Sequence, residues 1–376
     1  MYPVNLPALH IGDIHVATPI VQGGMGVGIS GARLAAAVAN AGGVGTIASV
    51  GLDLLDAQTR GRKKGMSTFR LREEILKARQ MSNGILGVNV MVALSDYTAL
   101  VDTAIDAGVD VLFLGAGLPL HFSDNLPPQR LKRLHTRIVP IVSSARATDL
   151  IFQYWSKKYD HVPDGVVVEG PRAGGHLGFK YEHIHDPAFA LEKLIPEVVS
   201  AVAPYAERFG KNIPVIAAGG IYTGTDIYNI MQLGAAGVQI ATRFIATHEC
   251  DADPAFKQAI IDAREEDIVI IKSPVGLPGR AIRNAFIRDV EAGNKKPFTC
   301  PYRCLKGCDF HTAPYCIAQA LTEAQQGRLD HGFAFTGANG YRVKEIVSVA
   351  ELMQELKAGY NKAVRQNRRE PVFAEL

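Results

Sequence analysis

Short apolar runs alternate with segments of helical periodicity along most of the chain. Each run is largely β-branched and almost continuous, and a turn and then a helical pattern follow it. The eight runs are PIVQG from Pro19, GVGTI from Gly43, LGVNVMV from Leu86, VDVLFLG from Val109, RIVPIVS from Arg137, GVVVEG from Gly165, PVIAAGG from Pro214 and GVQIATR from Gly237. Continuous apolar runs indicate parallel strands that crossover helices cover on both faces. Eight such strands can close a (β/α)8 TIM barrel, whereas an open doubly wound sheet usually has fewer strands and one dominant glycine fingerprint.

The connecting segments divide the chain into a barrel and an extension. Helical periodicity predicts helices over residues 30–41, 95–107, 147–158, 187–209 and 223–233. Ser30 is placed to cap the first of these helices. Residues 52–84 are polar and basic, which predicts an insertion after the second strand that leads into a charged helix outside the barrel. Because the pattern changes again beyond residue 244, we expect residues 1–250 to form the barrel and residues 251–376 a cysteine-containing C-terminal extension that packs on it.

Composition and charge exclude several classes of protein. The 376 residues carry a formal net charge of only +3, and the lysines and arginines are scattered, which argues against nucleic-acid binding. The N-terminal residues show no secretory signal pattern, and no stretch approaches the roughly 20 apolar residues that a membrane span needs. We therefore expect a soluble, cytoplasmic protein that acts on a small molecule and has no nucleic-acid or membrane partner. An apolar exterior helix is compatible with a homodimer.

Glycine-rich loops follow several predicted strands, at the end of a barrel where ligands bind. The first strand is followed by QGGMGVG, which lets the backbone approach a planar ligand. Gly219 and Gly220 separate the seventh strand from its helix, and Ala241 and Thr242 follow the eighth strand. Main-chain N–H groups in the loops after strands seven and eight hold the phosphate of phosphorylated cofactors in many barrels. These two adjacent loops therefore predict a phosphate site.

His176 lies in the loop after the sixth strand, within EGPRAGGHLG. An imidazole whose pKa is near neutrality can act as a general base or as a hydrogen-bond donor. The chain has ten other histidines, and the position of His176 at the catalytic end of the barrel distinguishes it from them.

Five motifs occur in order and together resemble one family. PIVQGGMG, GVNVM, EGPRAGGHLG, PVIAAGGI and GVQIATRF are similar to the nitronate monooxygenases, formerly 2-nitropropane dioxygenases, over roughly residues 15–245. That family also includes FMN-dependent enoyl-acyl-carrier-protein reductases and NAD(P)H:quinone reductases with the same barrel.

The resemblance implies a cofactor and a set of site residues. It implies that FMN lies against Gly24, Met25, Asn89, Gly175 and Gln239, with its phosphate at Gly219, Gly220, Ala241 and Thr242. It also implies that His176 is the base or the substrate-positioning group in nitronate oxidation. In the reductases the same histidine would assist reduction of the bound acyl chain.

A cysteine cluster departs from the simplest members of the family. Cys300, Cys304, Cys308 and Cys316 have the spacing C-x3-C-x3-C-x7-C, whereas Cys250 stands apart. Four thiolates can bind zinc or an iron–sulfur cluster, and in a protein without a signal peptide such crowding favours a metal site over disulfides. The spacing favours a 4Fe-4S cluster over zinc, and free or redox-active thiols are the third alternative.

Three functions are compatible with these features. The first is an FMN-dependent monooxygenase that oxidises alkyl nitronates with His176. The second is a reductase that uses NAD(P)H and FMN to reduce enoyl thioesters or quinones, with an iron–sulfur relay at the cysteines. The third is a barrel without catalytic activity that binds a phosphorylated ligand.

Overall fold

The computed structural model describes residues 6–55, 65–123, 125–294, 300 and 303–369. Its strands are β1 Leu9–Ile11, β2 Ile14–Val16, β3 Ile20–Gln22, β4 Val44–Ala48, β5 Ile85–Met91, β6 Val111–Gly115, β7 Arg137–Val142, β8 Val166–Glu169, β9 Gly175–His176, β10 Val215–Ala218, β11 Gly237–Ile240, β12 Ile268–Lys272 and β13 Pro278–Ile282. Its α-helices are α1 Ala32–Asn40, α2 Met66–Met81, α3 Tyr97–Asp106, α4 Pro128–Leu131, α5 Ala145–Lys158, α6 Leu191–Phe209, α7 Gly224–Gln232, α8 Thr242–Ile245, α9 Pro254–Asp262, α10 Ala285–Glu291, α11 Ile317–Gln325 and α12 Val349–Arg369.

Eight parallel strands close a barrel, which confirms the predicted fold class. Their order around the barrel is β3, β4, β5, β6, β7, β8, β10 and β11, and β11 pairs with β3 to close it. Each of the eight apolar runs overlaps one of these strands, and only β4 and β5 extend beyond their runs, by one residue each. The barrel therefore has the repeated βα units of a TIM barrel, in which helices cover the outer face of the strands.

The strands are apolar throughout because each has two buried faces. In β8, Val167 belongs to the cluster inside the barrel, whereas Val166 and Val168 belong to the layer between the strands and the outer helices. The β1–β2 hairpin adds Leu9 and Ile11 to the inner cluster. This hairpin closes the end of the barrel opposite the carboxyl ends of the strands.

Two connections differ from the sequence prediction in detail. The prediction that Ser30 caps α1 is wrong: the helix begins at Ala32 after Gly31, and Ser30 Oγ accepts the N–H of Met25 at 2.6 Å. The serine therefore fixes the loop after β3. Residues 52–84 contain α2, which buries Leu71 and Ile75 and packs on α1 and α3, in the place of the second crossover helix. Residues 56–64 of this segment lie outside the described part of the chain.

The C-terminal segments pack on the barrel, and two of their contacts are with α7 and with β9. Helix α12 packs against α7, and their backbones approach closely because Gly224 has no side chain: a Cβ there would lie 2.2 Å from Leu356 O. The hairpin of β12 and β13 pairs through β13 with β9, which is the loop that carries His176. Within the described ranges, no helix has the length and apolarity to span a membrane.

Candidate active site

One cavity of about 640 Å³ lies at the carboxyl ends of the barrel strands. All ten non-metal site residues proposed from the sequence line it, namely Gly24, Met25, Asn89, Gly175, His176, Gly219, Gly220, Gln239, Ala241 and Thr242. The folded chain thus brings together residues that are more than 200 positions apart in the sequence.

The loop after β3 forms one wall of the cavity, and its backbone lies very close to β5. A Cβ atom on Gly24 would lie 2.4 Å from Asn89 Cβ and 2.9 Å from Asn89 Cγ, so only glycine fits beside this asparagine. The preceding Gly23 donates its N–H to Ile240 O at 2.8 Å, which ties the loop to the last barrel strand. Gly24 and Asn89 therefore form one rigid surface.

The loops after β10 and β11 offer main-chain donors to a ligand. Gly219 and Gly220 have φ angles of 97° and 86°, which side chains rarely tolerate. Among the described residues, the N–H groups of Gly220, Ile221 and Ala241 have no hydrogen-bond partner. Because unpaired main-chain donors at the start of a helix are suited to anions, these loops fit a phosphate group.

The C-terminal extension covers this end of the cavity with residues 336–340. Thr242 Oγ1 accepts the N–H of Gly337 at 2.9 Å. Asn339 donates from Nδ2 to Gly220 O at 2.6 Å and accepts at Oδ1 from Arg172 Nη2 at 3.1 Å. The extension therefore fixes the geometry of the two phosphate-site loops.

His176 is held by residues of the extension. Its Nε2 lies 2.7 Å from Ser273 Oγ, and Ser273 is only 5% exposed in the turn between β12 and β13. The ring of Phe335 contacts the imidazole edge-on, with 5.1 Å between centroids. Burial lowers the pKa of His176 to about 4, so the imidazole is neutral at pH 7 in the absence of a ligand. This pKa lies well below the near-neutral value expected from the sequence.

A buried arginine fixes the loop that leads to His176. Arg280, 5% exposed on β13, donates from Nη1 to Pro171 O and to Ala173 O, both at 2.6 Å. Burial, with a smaller contribution from the charge of Arg172, lowers the pKa of Arg280 to about 10, and the guanidinium stays charged at pH 7. Its two charge-assisted hydrogen bonds set the path of residues 171–174.

Glu169 is a further cavity residue that the sequence analysis did not select. It ends β8 and lines the cavity, and burial raises the pKa of its carboxyl group to about 7. No hydrogen bond from another described side chain or main-chain group stabilises its carboxylate. Its place as the first residue of EGPRAGGHLG, the motif that contains His176, is the signal that could have identified it.

The structure does not support the predicted metal site at the cysteines. Across the part of the chain that is described, which includes all four cysteines, no three histidine, cysteine, aspartate or glutamate side chains are grouped to hold a metal ion. Main-chain pairing of Cys304 O with Ser95 N at 3.1 Å holds Cys304 at the cavity wall, and the other three cysteines do not line the cavity. Burial raises the pKa of the thiols of Cys308 and Cys316, which favours protonated thiols. The structure thus gives no support to an iron–sulfur or zinc site at Cys300, Cys304, Cys308 and Cys316.

Comparison with known proteins identifies the family. The sequence profile of the nitronate monooxygenase family matches residues 9–359. The chain belongs to the nitronate monooxygenase family. The chain is 30% identical over 282 residues to (3aS,4S,5R,7aS)-5-hydroxy-7a-methyl-1-oxo-octahydro-1H-indene-4-carboxyl-CoA dehydrogenase of Mycobacterium tuberculosis, covering 75% of this chain and 68% of the relative. It is 28% identical over 313 residues to a probable nitronate monooxygenase of Staphylococcus aureus, covering 74% of this chain and 78% of the relative.

Solved structures agree with this assignment. FabK from Thermotoga maritima superposes with a TM-score of 0.72 at 27% identity and covers 93% of this chain and 95% of its own. Nitroalkane oxidase from Streptomyces ansochromogenes superposes with a TM-score of 0.70 at 22% identity, covering 95% and 98%, and this likeness concerns the fold. As a member of the nitronate monooxygenase family, the protein is an oxidoreductase.

Proposed function

We propose that the protein is an FMN-dependent oxidoreductase that oxidises alkyl nitronates, with His176 positioning the substrate. The observation that carries the proposal is the layout of the cavity at the carboxyl ends of the barrel strands. One end offers unpaired main-chain N–H groups at Gly220, Ile221 and Ala241, and His176 lines the same cavity.

The cavity suits FMN in size and in the chemistry of its walls. A volume of about 640 Å³ lies within the range of roughly 300–1,000 Å³ that is usual for cofactor and ligand pockets. The φ angles at Gly219 and Gly220 turn the main chain toward an anion, and the Gly24–Asn89 surface leaves room for a flat ring. FMN, when bound, supplies two-electron redox chemistry, and the protein supplies binding, orientation and local charge.

His176 has one ring nitrogen that is free to meet the substrate. Ser273 occupies Nε2 at 2.7 Å, and Nδ1 has no partner among the described residues. The ring is neutral at pH 7, but a bound anion next to it raises the pKa of the imidazole. An anionic nitronate therefore favours a proton at Nδ1, and the histidine then donates a hydrogen bond to the nitro oxygens.

The apolar residues at the cavity entrance favour a second candidate function. This is an NAD(P)H-dependent reductase of enoyl thioesters or quinones. Leu118 and Leu277 line the cavity and are 41% and 39% exposed, so its entrance has an apolar edge suited to an acyl chain. The relative from M. tuberculosis is named for a carboxyl-CoA substrate. That name and the apolar edge support an acyl substrate without deciding the direction of electron flow.

Anaerobic mixing separates the two candidates. We expect the flavin absorbance of the purified protein to bleach rapidly with an alkyl nitronate and slowly with NADH or NADPH. Rapid bleaching by a nicotinamide and none by nitronate would reject the monooxygenase and favour the reductase.

The His176→Ala variant separates both enzymes from a barrel that only binds a phosphorylated ligand. We expect unchanged FMN content and turnover lowered about 100-fold or more, which is the scale of a lost acid–base or positioning group. His121→Ala, at an exposed position outside the cavity lining, serves as the matched control. Equal turnover of the two variants would remove the role proposed for His176.

A further inference from the structure

Glu169 lies on the inner face of the barrel, at the floor of the cavity. Successive side chains of a strand point to opposite faces, and Val167 of β8 belongs to the cluster inside the barrel. Glu169, two positions later, therefore points to the same inner face and lines the cavity. The inner cluster, which includes Val167 and Ile216, is apolar and buried. The carboxyl group of Glu169 is thus placed between an apolar core and the open cavity.

The strand register places a neutral amide near Glu169. Glu169 pairs with Ala218 of β10, and Ala218 pairs with Gln239 of β11. Because adjacent strands are about 4.8 Å apart, the main chains at Glu169 and Gln239 are about 10 Å apart, with Ala218 between them. Neither the carboxyl group nor the amide has a hydrogen-bond partner among the described residues. Both groups are therefore available to a ligand that lies across this floor.

Burial makes the charge of Glu169 sensitive to its surroundings. It raises the pKa of the carboxyl group to about 7, and no ion pair with a described residue opposes this effect. The neighbouring positions on β10 and directly after β7 are the neutral Ala218 and Ser143. The other titratable or charged side chains that line the cavity are Asp53, Asp96, Arg172, His176, Tyr222, Arg243 and Cys304. The carboxyl group is half protonated at pH 7, so a small change in nearby charge alters its protonation.

A negative charge that appears in the cavity changes the protonation of Glu169 far more than that of His176. A unit charge about 10 Å away weakens an acid roughly tenfold at the effective dielectric constant of a protein. Glu169, whose pKa is about 7, then gains about 0.4 proton at pH 7. His176, whose pKa is about 4, gains only about 0.01 proton for the same charge. Of these two groups, Glu169 is the one that can balance such a charge at neutral pH.

We infer that Glu169 takes up a proton when the bound flavin is reduced and releases it on reoxidation. Reduction brings two electrons from the substrate, and a proton on the ring balances one of the two negative charges. The Glu169 carboxylate forms an O–H bond with a proton from solvent and so balances the other charge. When an electron acceptor such as dioxygen removes the pair, Glu169 returns its proton to that acceptor or to solvent. This inference rests on the proposed function, because it requires a bound flavin.

The pH dependence of the reduction potential of the FMN-loaded protein tests the inference, because its slope gives the number of protons taken up per two electrons. We expect Glu169→Gln to take up about 0.4 fewer protons per flavin than the wild-type protein between pH 7 and pH 8. At pH 5.5 the two proteins should take up the same number, because Glu169 is then protonated in both redox states. His176→Gln is expected to match the wild-type protein.

Glu207→Gln is the matched control, because Glu207 is an exposed glutamate in the last turn of α6, which leads to the opposite end of the barrel. A second measurement needs no variant: the infrared difference spectrum of the wild-type protein, reduced minus oxidised. We expect it to gain the carbonyl band of a protonated carboxyl group at pH 8 and not at pH 5.5. This measurement decides the question if Glu169→Gln does not bind FMN.

Three results would overturn the inference. They are equal proton uptake by Glu169→Gln and the control, loss of the uptake in His176→Gln instead, and an infrared spectrum without the added carboxyl band at pH 8. FMN-loaded protein that gives any of these results rejects the inference and leaves the proposed function standing. Protein that binds no FMN would reject the proposed function and, with it, the role of Glu169.

Discussion

Ser273→Ala removes the hydrogen bond that positions the imidazole of His176. The hydroxyl lies 2.7 Å from Nε2 and is 5% exposed, so water does not readily replace it. Leaving a buried polar atom without its partner costs about 1–3 kcal/mol. If the productive orientation of the ring becomes less favourable by this free energy, turnover falls about 5- to 150-fold. We expect a lower kcat and a nearly unchanged KM, because Ser273 does not line the cavity and its substitution leaves the binding surface intact.

The assay compares steady-state turnover, FMN content and thermal stability in three proteins. Ser273→Thr retains a hydroxyl and is expected to recover part of the activity. Ser156→Ala is the matched control, because Ser156 is also 5% exposed and its Oγ donates to Gln153 O at 3.0 Å on α5, away from the cavity. Full activity of Ser273→Ala, or an equal loss in the Ser156 control, would refute the positioning role.

Two further predictions concern the cofactor surface and the effect of pH on stability. Gly24→Ala places a Cβ 2.4 Å from Asn89 Cβ, so we expect FMN affinity to fall at least about 10-fold in a fluorescence titration, and unchanged affinity would contradict the close fit. Burial, followed by the charge of Lys211, lowers the pKa of His161 to about 4, whereas the unfolded chain has the ordinary value near 6.5. Between these two pKa values the unfolded chain binds a proton that the folded chain does not. The contribution of His161 to the free energy of unfolding is therefore fully present above pH 6.5 and is lost as the pH falls toward 4, by about 2 kcal/mol between pH 7 and pH 5. Denaturant unfolding at pH 7 and pH 5 should show a smaller decrease in the free energy of unfolding for His161→Gln than for the wild-type protein. An equal decrease in the two proteins would count against this assignment.

The barrel and the cavity lining were predictable because they depend on local pattern. Each strand of the barrel is a continuous apolar run, since both of its faces are buried. The loops that follow the strands all lie at the carboxyl end of the barrel, where the cavity is. Gly219 and Gly220 were recognisable because an adjacent strand and helix bracket them. The start of α1 was misplaced because Ser30 bonds to Met25, a contact that depends on the shape of the loop after β3.

Features that depend on pairing between distant segments could not be predicted. Strand β9 has only two residues and exists because β13 pairs with it, about 100 positions later. Ser273 and Arg280 act on the loop of His176 through that pairing, and no spacing in the sequence marks them. The structure does not support the cysteine prediction, and spacing alone does not show that Cys304 is paired with the loop after β5 at the cavity wall.

In the proposed function, main-chain amides after β10 and β11 hold the phosphate of a flavin. Titration of the flavin-free protein with FMN and with riboflavin, which lacks the phosphate, is the decisive experiment for this site. Because several charge-assisted hydrogen bonds would be lost, we predict that riboflavin binds about 100-fold or more weakly than FMN. Equal affinity for the two flavins, or no binding of either, would contradict the account.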